Sequence, residues 1–269
     1  MNRLNSSVAL AALAFFLAAA PAVAADITPP PETYDWSGFH VGVGGGGNFA
    51  FVKEDSDSFV EADEDFFNMK GDHSADLGDA AAFGTIETGA DLQLGSSFVV
   101  GALANYDFGK ETMKNESNTV AFIEGNVPFE PGTYETKYEV GDSWAIGARA
   151  GFLAMDNALI YVLGGYTEAR IKSESKLQGI DDASFLAFDT SDSSWKDGWF
   201  VGGGIEALLT QNISLKAEYR YNDYGSLHRN DSASDFLDIP AESFANSHQD
   251  IDVTVHSVRA VLSYRFGWF

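Results

Sequence analysis

Polar and apolar residues alternate with a period of two along most of the chain. A β-strand turns successive side chains to opposite faces, so this pattern predicts strands with one apolar face and one polar face. Their even number suits a closed up-and-down barrel of antiparallel strands. Eight segments show the pattern: 36–52, 82–94, 98–108, 134–155, 158–174, 195–209, 212–225 and 251–266.

The aromatic residues indicate which face of this barrel points outward. A soluble lipocalin-like barrel would turn its apolar face inward, but the interior of eight strands is only just wide enough for side chains to fill. The apolar face carries too many rings for that space, whereas the opposite face is rich in glycine. We therefore expect the apolar face to meet lipid, as in outer-membrane barrels. Its rings are Phe39, Phe49, Phe51, Phe98, Tyr106, Phe108, Trp144, Phe152, Tyr161, Trp199, Tyr219, Tyr221, Tyr264 and Phe266.

The polar face carries acidic and basic residues in equal number, although the whole chain has 40 acidic and 16 basic residues. A buried charge without a partner costs several kcal/mol, so a balanced set predicts a network of ion pairs that plugs the lumen. The predicted acids are Glu87, Asp91, Asp107, Glu168, Glu206 and Glu218, and the bases are Arg149, Arg170, Lys216, Arg220, Arg259 and Arg265.

The connections between the segments alternate between short and long. The short ones are 95–97, 156–157 and 210–211, and the long ones are 53–81, 109–133, 175–194 and 226–250. Short periplasmic turns and four long extracellular loops are typical of outer-membrane barrels. The long connections hold 23 acidic and 6 basic residues, a net charge of −17 out of −24 for the chain. Such an acidic surface argues against a nucleic-acid partner.

The N-terminal residues predict export from the cytoplasm. Arg3, the apolar run from Val8 to Ala20 and the sequence Ala22-Val23-Ala24 form the three parts of a secretory signal peptide. We expect cleavage after residue 24, a proline-rich periplasmic tether over residues 25–35, and a barrel over residues 36–269.

Both ends of the barrel carry the marks of a known family. The segment Trp36-Ser37-Gly38-Phe39-His40-Val41-Gly42 resembles the opening strand of the alphaproteobacterial small outer-membrane β-barrel proteins, the porin-family, opacity-like surface antigens. The segment from Val258 to Phe266 looks like their closing strand. The resemblance implies an eight-stranded barrel in the outer membrane of a Gram-negative bacterium, with roles in envelope integrity and contact with the host or environment.

The resemblance also implies that the barrel-assembly machinery reads an aromatic residue near the C-terminus. Tyr264, Phe266 and Phe269 are the candidates in this chain. Phe266 is in phase with the lipid face, and Phe269 joins that phase only if Gly267 introduces a bulge. Both phenylalanines therefore stay open as the assembly signal.

Enzymatic motifs are weak in this sequence. Cysteine is absent, which excludes thiolate metal sites and a cysteine nucleophile. The glycine run 42–47 fits a dinucleotide fingerprint, but a strand rather than a helix follows it. His256 and Ser257 are adjacent in a strand, so they point to opposite faces and do not form a nucleophile–base pair. We therefore predict no catalytic, cofactor-binding or metal-binding residues.

These patterns predict a non-enzymatic integral outer-membrane protein that contributes to envelope structure and surface exposure. The expected partners are outer-membrane lipid and lipopolysaccharide, the barrel-assembly machinery, and a host or surface ligand. The alternatives are a small-solute porin, an adhesin or host-facing surface antigen, and a lipid A-modifying hydrolase at the rim.

Overall fold

A computed structural model describes residues 34–62, 67–123, 127–179, 188–232 and 244–267. Over these residues the chain forms nine β-strands. Their bounds are β1 Gly38–Ala62, β2 Phe67–Leu94, β3 Phe98–Gly109, β4 Glu111–Ile123, β5 Val127–Met155, β6 Ala158–Gly179, β7 Phe188–Leu208, β8 Ile213–Ser232 and β9 Phe244–Phe266. None of the described segments is a helix long and apolar enough to cross a membrane.

The nine strands form a closed ring of eight. Strand β1 pairs with both β2 and β9, with Phe39 opposite Ala90 on one side and Phe266 on the other. Strands β3 and β4 are interrupted only at Lys110, and both pair antiparallel with β5, so they act as one member of the ring. The remaining neighbours pair in chain order. This confirms the predicted eight-stranded, antiparallel, up-and-down barrel.

The periplasmic ends of the strands lie close to their predicted positions, whereas the opposite ends do not. The short turns cover residues 95–97, 156–157 and 209–212. The segments predicted as long loops continue instead as paired strands; β1 and β2, for example, stay in register from Lys53–Asp76 to Ala62–Phe67. Alternation reports burial on one face, so a hairpin that extends into water on both faces loses the signal while its backbone remains paired. The hairpin tips lie outside the described residues.

The outer wall is apolar and carries two belts of aromatic rings. Ring pairs at the periplasmic end are Phe98–Phe152 and Tyr264–Phe266. At the other end the pairs are Tyr106–Phe108, Trp144–Tyr166 and Trp199–Tyr221. Aliphatic side chains between the belts are about half exposed, which suits a surface solvated by lipid.

Tyr161 is the exception among the predicted outward rings, because it points into the barrel and is only 2% exposed. The segment around it, Leu159 to Leu163, is apolar on both faces. Alternation therefore could not fix the phase of β6, and that part of the prediction was wrong.

The interior is layered along the barrel axis. Trp36 lies at the periplasmic end, charged residues fill the middle, and an apolar cluster occupies the part nearer the extracellular side. The sequence analysis did not predict the apolar layer. Its residues are Ala50, Val52, Met113, Tyr138, Val140, Ala169, Ile171, Tyr224, Ile251, Val253 and Val255.

Inward-facing glycines give the large interior side chains their space. At Gly101 an added Cβ would lie 2.1 Å from Asp91 Oδ1 and 2.8 Å from the carbonyl oxygen of Ala90. On the outer wall, a Cβ added at Gly84 would meet no atom within 4 Å.

We therefore expect Gly101→Ala to destabilise the barrel by about 1–3 kcal/mol, because the new methyl group would displace a buried carboxylate. Gly84→Ala is the matched control, and its unfolding free energy should remain within about 0.5 kcal/mol of the parent. Urea unfolding in lipid vesicles measures both variants. Equal stability of the two would contradict the assignment of Gly101 to a crowded interior.

Candidate functional site

The structure brings ten of the twelve charged residues predicted for the interior into one buried cluster. All ten are less than a tenth exposed, and they comprise five acids and five bases. They are Glu87, Asp91, Asp107, Arg149, Glu206, Lys216, Glu218, Arg220, Arg259 and Arg265. The charge of this cluster is therefore balanced.

Glu168 and Arg170 do not belong to this cluster, so their predicted inward orientation was wrong. The Glu168 carboxylate accepts hydrogen bonds from Trp144 Nε1 at 3.2 Å and from the Tyr166 hydroxyl at 2.6 Å on the outer wall. Arg170 is exposed, and its Nε donates to Ser193 Oγ at 3.2 Å. Both errors have the same cause as the error for Tyr161, because alternation did not determine which face of β6 points inward.

Four of the buried residues form a closed ring of ion pairs, which we call the lower quartet. Arg149 binds Asp91 at 2.5 Å and Glu206 at 2.7 Å. Arg265 binds the same two carboxylates, at 2.7 Å and 3.1 Å. Each guanidinium bridges both acids with its planar donors, a geometry that lysine could not supply. The quartet ties β2, β5, β7 and β9 together across the lumen.

A second ring, the upper quartet, lies further from the periplasm. Lys216 Nζ donates to Glu87 and lies 3.8 Å from Glu218 Oε2. Arg220 Nε donates to Glu218, and its Nη2 lies 3.8 Å from Glu87 Oε2. His40 joins the quartets, since its ring nitrogens lie 3.5 Å from Glu87 and 3.4 Å from Asp91.

Asp107 continues the network towards the apolar cluster. It binds Arg259 Nη2 at 2.9 Å and accepts hydrogen bonds from the Thr85 hydroxyl at 2.6 Å and from Asn105 Nδ2 at 2.9 Å. Arg220 Nη1 donates to Asn105 Oδ1 at 2.7 Å, which joins this group to the upper quartet. The network therefore runs without a break from the periplasmic end to the apolar layer.

Each buried arginine also stacks on an inward aromatic ring. The four pairs are Arg149 on Tyr161, Arg220 on Phe200, Arg259 on Phe83 and Arg265 on Trp36, with distances of 4.8–5.1 Å from Cζ to the ring centroid. The sequence analysis missed these rings. Glycines opposite these rings are the sequence signal that could have indicated them. A Cβ added at Gly147, for example, would lie 2.7 Å from Phe200 Cζ.

Trp36 closes the periplasmic end of the network and is 0% exposed. Its indole nitrogen donates to the carbonyl oxygen of Asp156 at 3.1 Å, and its backbone nitrogen donates to Gln93 Oε1 at 3.0 Å. Arg265 Nη2 donates to the Trp36 carbonyl at 2.6 Å. Trp36 is therefore fixed to a periplasmic turn, to β2 and to the lower quartet.

The predicted assembly residues lie where β9 ends. Tyr264 and Phe266 are on the outer wall with their rings 4.8 Å apart, while Phe269 lies outside the described residues. The backbone of Gly38 passes the end of β9 so closely that a Cβ there would lie 2.1 Å from the Phe266 carbonyl oxygen. Glycine is needed here also because its φ is +143°.

His256 and Ser257 lie on opposite sides of the barrel wall. Ser257 faces inward and its Oγ accepts a hydrogen bond from Arg259 Nη2 at 3.3 Å. His256 faces outward, with its Nδ1 2.6 Å from the Tyr219 hydroxyl oxygen. The wall therefore separates these two residues. Across the part of the chain that the structure describes, no three acidic or histidine side chains converge as metal ligands.

An eight-stranded ring with an aromatic-belted outer wall and an interior lined by ion-paired polar side chains defines the class of small outer-membrane β-barrels. The chain belongs to the family described as outer membrane protein beta-barrel domain, which it matches over residues 8–266. It is a protein of the outer membrane of a Gram-negative bacterium.

Curated relatives agree with this placement. The 31 kDa outer-membrane immunogenic protein of Brucella melitensis is 30% identical over 271 residues, which cover 97% of this chain and 99% of that protein. The 22 kDa outer membrane protein of Rhizobium leguminosarum is 34% identical over 96 residues, covering 35% and 38%. Among structures, the Escherichia coli outer membrane protease OmpT has a TM-score of 0.48 at 9% identity, covering 87% and 99%. Pseudomonas aeruginosa OprG has a TM-score of 0.39 at 12% identity, covering 88% and 99%.

The lower quartet makes a direct prediction about stability. Arg149→Met should lower the free energy of unfolding by about 3–5 kcal/mol, because it leaves Asp91 and Glu206 buried with one cation between them. Arg170→Met is the matched control on the outer wall, with an expected change within about 0.5 kcal/mol. Urea unfolding in vesicles compares the two. A loss at Arg170 as large as that at Arg149 would contradict the assigned orientation of β6.

Proposed function

We propose that the protein is a non-enzymatic structural component of the outer membrane whose lumen is closed by its own side chains. The observation that carries this proposal is the series of interior layers. Trp36, the two quartets, the Asp107 group and the apolar cluster follow one another along the axis. An ion or solute that entered the barrel would have to cross all of them.

The energetics of the interior support a closed lumen. The quartets hold their charges in closed rings of ion pairs, and a passing ion would have to break these contacts in a narrow space. Conducting pores instead offer sites that bind an ion weakly enough to release it. The charge-balanced cluster of ten residues and the apolar layer above it offer no such path among the described residues.

The same contacts support a mechanical role. The ion pairs and hydrogen bonds of the interior reach every member of the ring, from His40 on β1 to Arg265 on β9. Cross-lumen contacts of this kind stiffen the barrel, while the aromatic belts anchor it at the two membrane interfaces. A rigid, lipid-anchored barrel would contribute to the cohesion of the envelope.

Surface exposure is the second part of the proposed function. The paired strands extend from the barrel as long hairpins, and the regions beyond the membrane hold most of the net negative charge. The Brucella relatives are named immunogenic, which supports exposure of the corresponding surface to a host. We propose that the hairpins face the environment and contact a host or surface ligand there.

We further propose that residues 1–24 direct export and are cleaved, and that residues 25–35 form a periplasmic tether. The aromatic end of β9, with Tyr264 and Phe266 or with Phe269, would be read by the barrel-assembly machinery.

Planar-bilayer recording tests the closed lumen. The purified protein should give no stable stepwise conductance under conditions where a general porin does. Trp36→Ala should also stay silent, because the quartets and the apolar layer remain. Stepwise conductance by the unmodified protein, with aggregates excluded as its source, would support the porin alternative and overturn the closed lumen.

The enzyme alternative has a separate readout. A lipid A-modifying hydrolase would alter the mass of lipid A in cells that express the protein, whereas a structural barrel would leave it unchanged. Mass spectrometry of extracted lipid A distinguishes the two without depending on the conductance result.

A further inference from the structure

Glu111, at the start of β4, is a buried carboxylate that takes no part in the ion-pair network. Its side chain points inward and is 0% exposed. Oε1 accepts a hydrogen bond from Asn48 Nδ2 at 2.8 Å, whereas Oε2 has no hydrogen-bond partner among the described residues. Burial removes water from this group without supplying a cation, so an ionised carboxylate is costly here.

Glu111 lies beyond the extracellular aromatic belt and therefore outside the hydrocarbon of the membrane. Strand β3 leads outward to Phe108 of the belt, and Glu111 follows three residues later. Its neighbour on the inward face of β4 is Met113, and its partner on β5 is Val140; both belong to the apolar cluster. The carboxylate thus lies where the polar network ends and the apolar cluster begins.

The backbone ladder is interrupted beside Glu111. Strand β2 pairs with β3 as far as Phe83, and it pairs with β4 only from Asn68 towards the tip. We call the intervening stretch, residues 69–82 of β2 and 110–121 of β4, the seam. Over the described residues of the seam, the two strands are not joined by ladder hydrogen bonds, so side chains have to hold this part of the wall together.

Two side-chain contacts bridge the seam. Asp79 Oδ2 on β2 accepts a hydrogen bond from the backbone nitrogen of Thr112 on β4 at 3.0 Å. The contact between Asn48 and Glu111 joins β1 to β4 on the inner side of the wall. Glu111 is therefore part of the structure that keeps β4 against the other half of the ring.

The charged groups that face Glu111 from β2 and β3 are acidic. Burial raises the pKa of Glu111 to about 7; the Asn48 hydrogen bond opposes this rise, and the charges of Asp79 and Asp107 add to it. Arg259 on β9 is the base of the adjacent layer, but its two terminal nitrogens bind Asp107. The surroundings of Glu111 thus favour its neutral form.

The charges on the remaining strands are held by other partners. Lys110 on β4 and Glu139 on β5 lie on the outer side of the wall, 3.0 Å apart. Arg220 on β8 binds Glu218 and Asn105 in the upper quartet and its extension. On β1 the facing group is the neutral amide of Asn48.

We propose that Glu111 is a proton-binding switch for the extracellular part of the barrel. With its proton the carboxyl group is neutral, fits beneath the apolar cluster and keeps its contact with Asn48. Without the proton, its charge faces Asp79 and Asp107 at the seam and weakens the hold of β4 on β1 and β2. The switch operates whether or not the lumen is closed.

The sign of the effect follows from linkage. The folded state binds the proton more tightly than the unfolded chain does, so the stabilisation is complete in acid and is lost as the pH rises through about 7. The barrel should therefore be firmer in mildly acidic than in mildly alkaline surroundings.

Urea unfolding of the full-length protein in lipid vesicles at pH 6 and pH 8 tests the switch. The test variant is E111Q, which is neutral at both pH values and still offers an oxygen to Asn48. Between pH 6 and pH 8 the folding equilibrium constant of the parent should fall about tenfold more than that of E111Q. Histidines titrate in both proteins, so the difference between them isolates Glu111.

E139Q is the matched control on the neighbouring strand. The hydrogen bond from Lys137 lowers the pKa of Glu139, so this carboxylate is ionised at both pH values. E139Q should therefore keep the pH dependence of the parent. Heat-modifiable gel mobility verifies that each variant is folded.

Infrared difference spectra between pH 6 and pH 8 detect the proton itself, without unfolding the protein. A protonated carboxyl group has a C=O stretch that an ionised carboxylate lacks. The parent and E139Q should lose one such band when the pH is raised, and E111Q should not.

The proposal is overturned if E111Q, verified as folded, shows the same loss of stability between the two pH values as the parent. A parent spectrum without a carboxylic C=O band that disappears at the higher pH would also overturn it. If E111Q does not fold, D79N takes its place. Removing one repelling acid should move the loss of the band to lower pH, and an unmoved band contradicts the switch. Planar-bilayer conductance, which tests the closed lumen, leaves each of these outcomes unchanged.

Discussion

The hydrocarbon of a membrane offers no water to a backbone hydrogen-bonding group, and this constraint determines the rest of the structure. A sheet can satisfy it only by closing, and here β1 closes on β9 over more than twenty residues. Closure with eight strands leaves an interior hardly wider than two facing side chains. Glycine on one strand therefore has to accompany a large side chain on its neighbour, as Gly101 accompanies Asp91.

A narrow interior also determines how charges can be used. Polar residues must face inward because the outer wall meets lipid, yet a buried ion pair recovers its desolvation cost only with good geometry. The two quartets achieve this geometry because each charged side chain contacts two residues of opposite charge. Arg149 and Arg265 each bridge the same two acids, and each stacks on a ring. A substitution in one member leaves several groups without a partner, so the quartets act as units rather than as separate pairs.

Much of this arrangement could be predicted from the sequence, because one face of each strand meets lipid and the other faces the lumen. This difference produces the alternation of apolar and polar residues. The phase of β8 and β9 was clear from alternation alone, and the acids and bases of these strands lie as expected. The prediction failed for strand β6 because apolar residues occupy both of its faces. Alternation therefore did not show that Tyr161 points inward and Glu168 outward. The extended hairpins and the role of Trp36 depend on pairing and on contacts between distant residues, which no local pattern reports.

The ten-residue charged cluster of the interior contributes nothing to the net charge of the chain. Its five acids and five bases cancel, so the rest of the chain carries the whole net charge of −24. The four long connections alone hold −17 of this charge, because an unpaired charge is costly both in hydrocarbon and in a narrow lumen. The balanced cluster and the acidic hairpins are thus two consequences of one constraint, the high cost of an unpaired charge within the membrane.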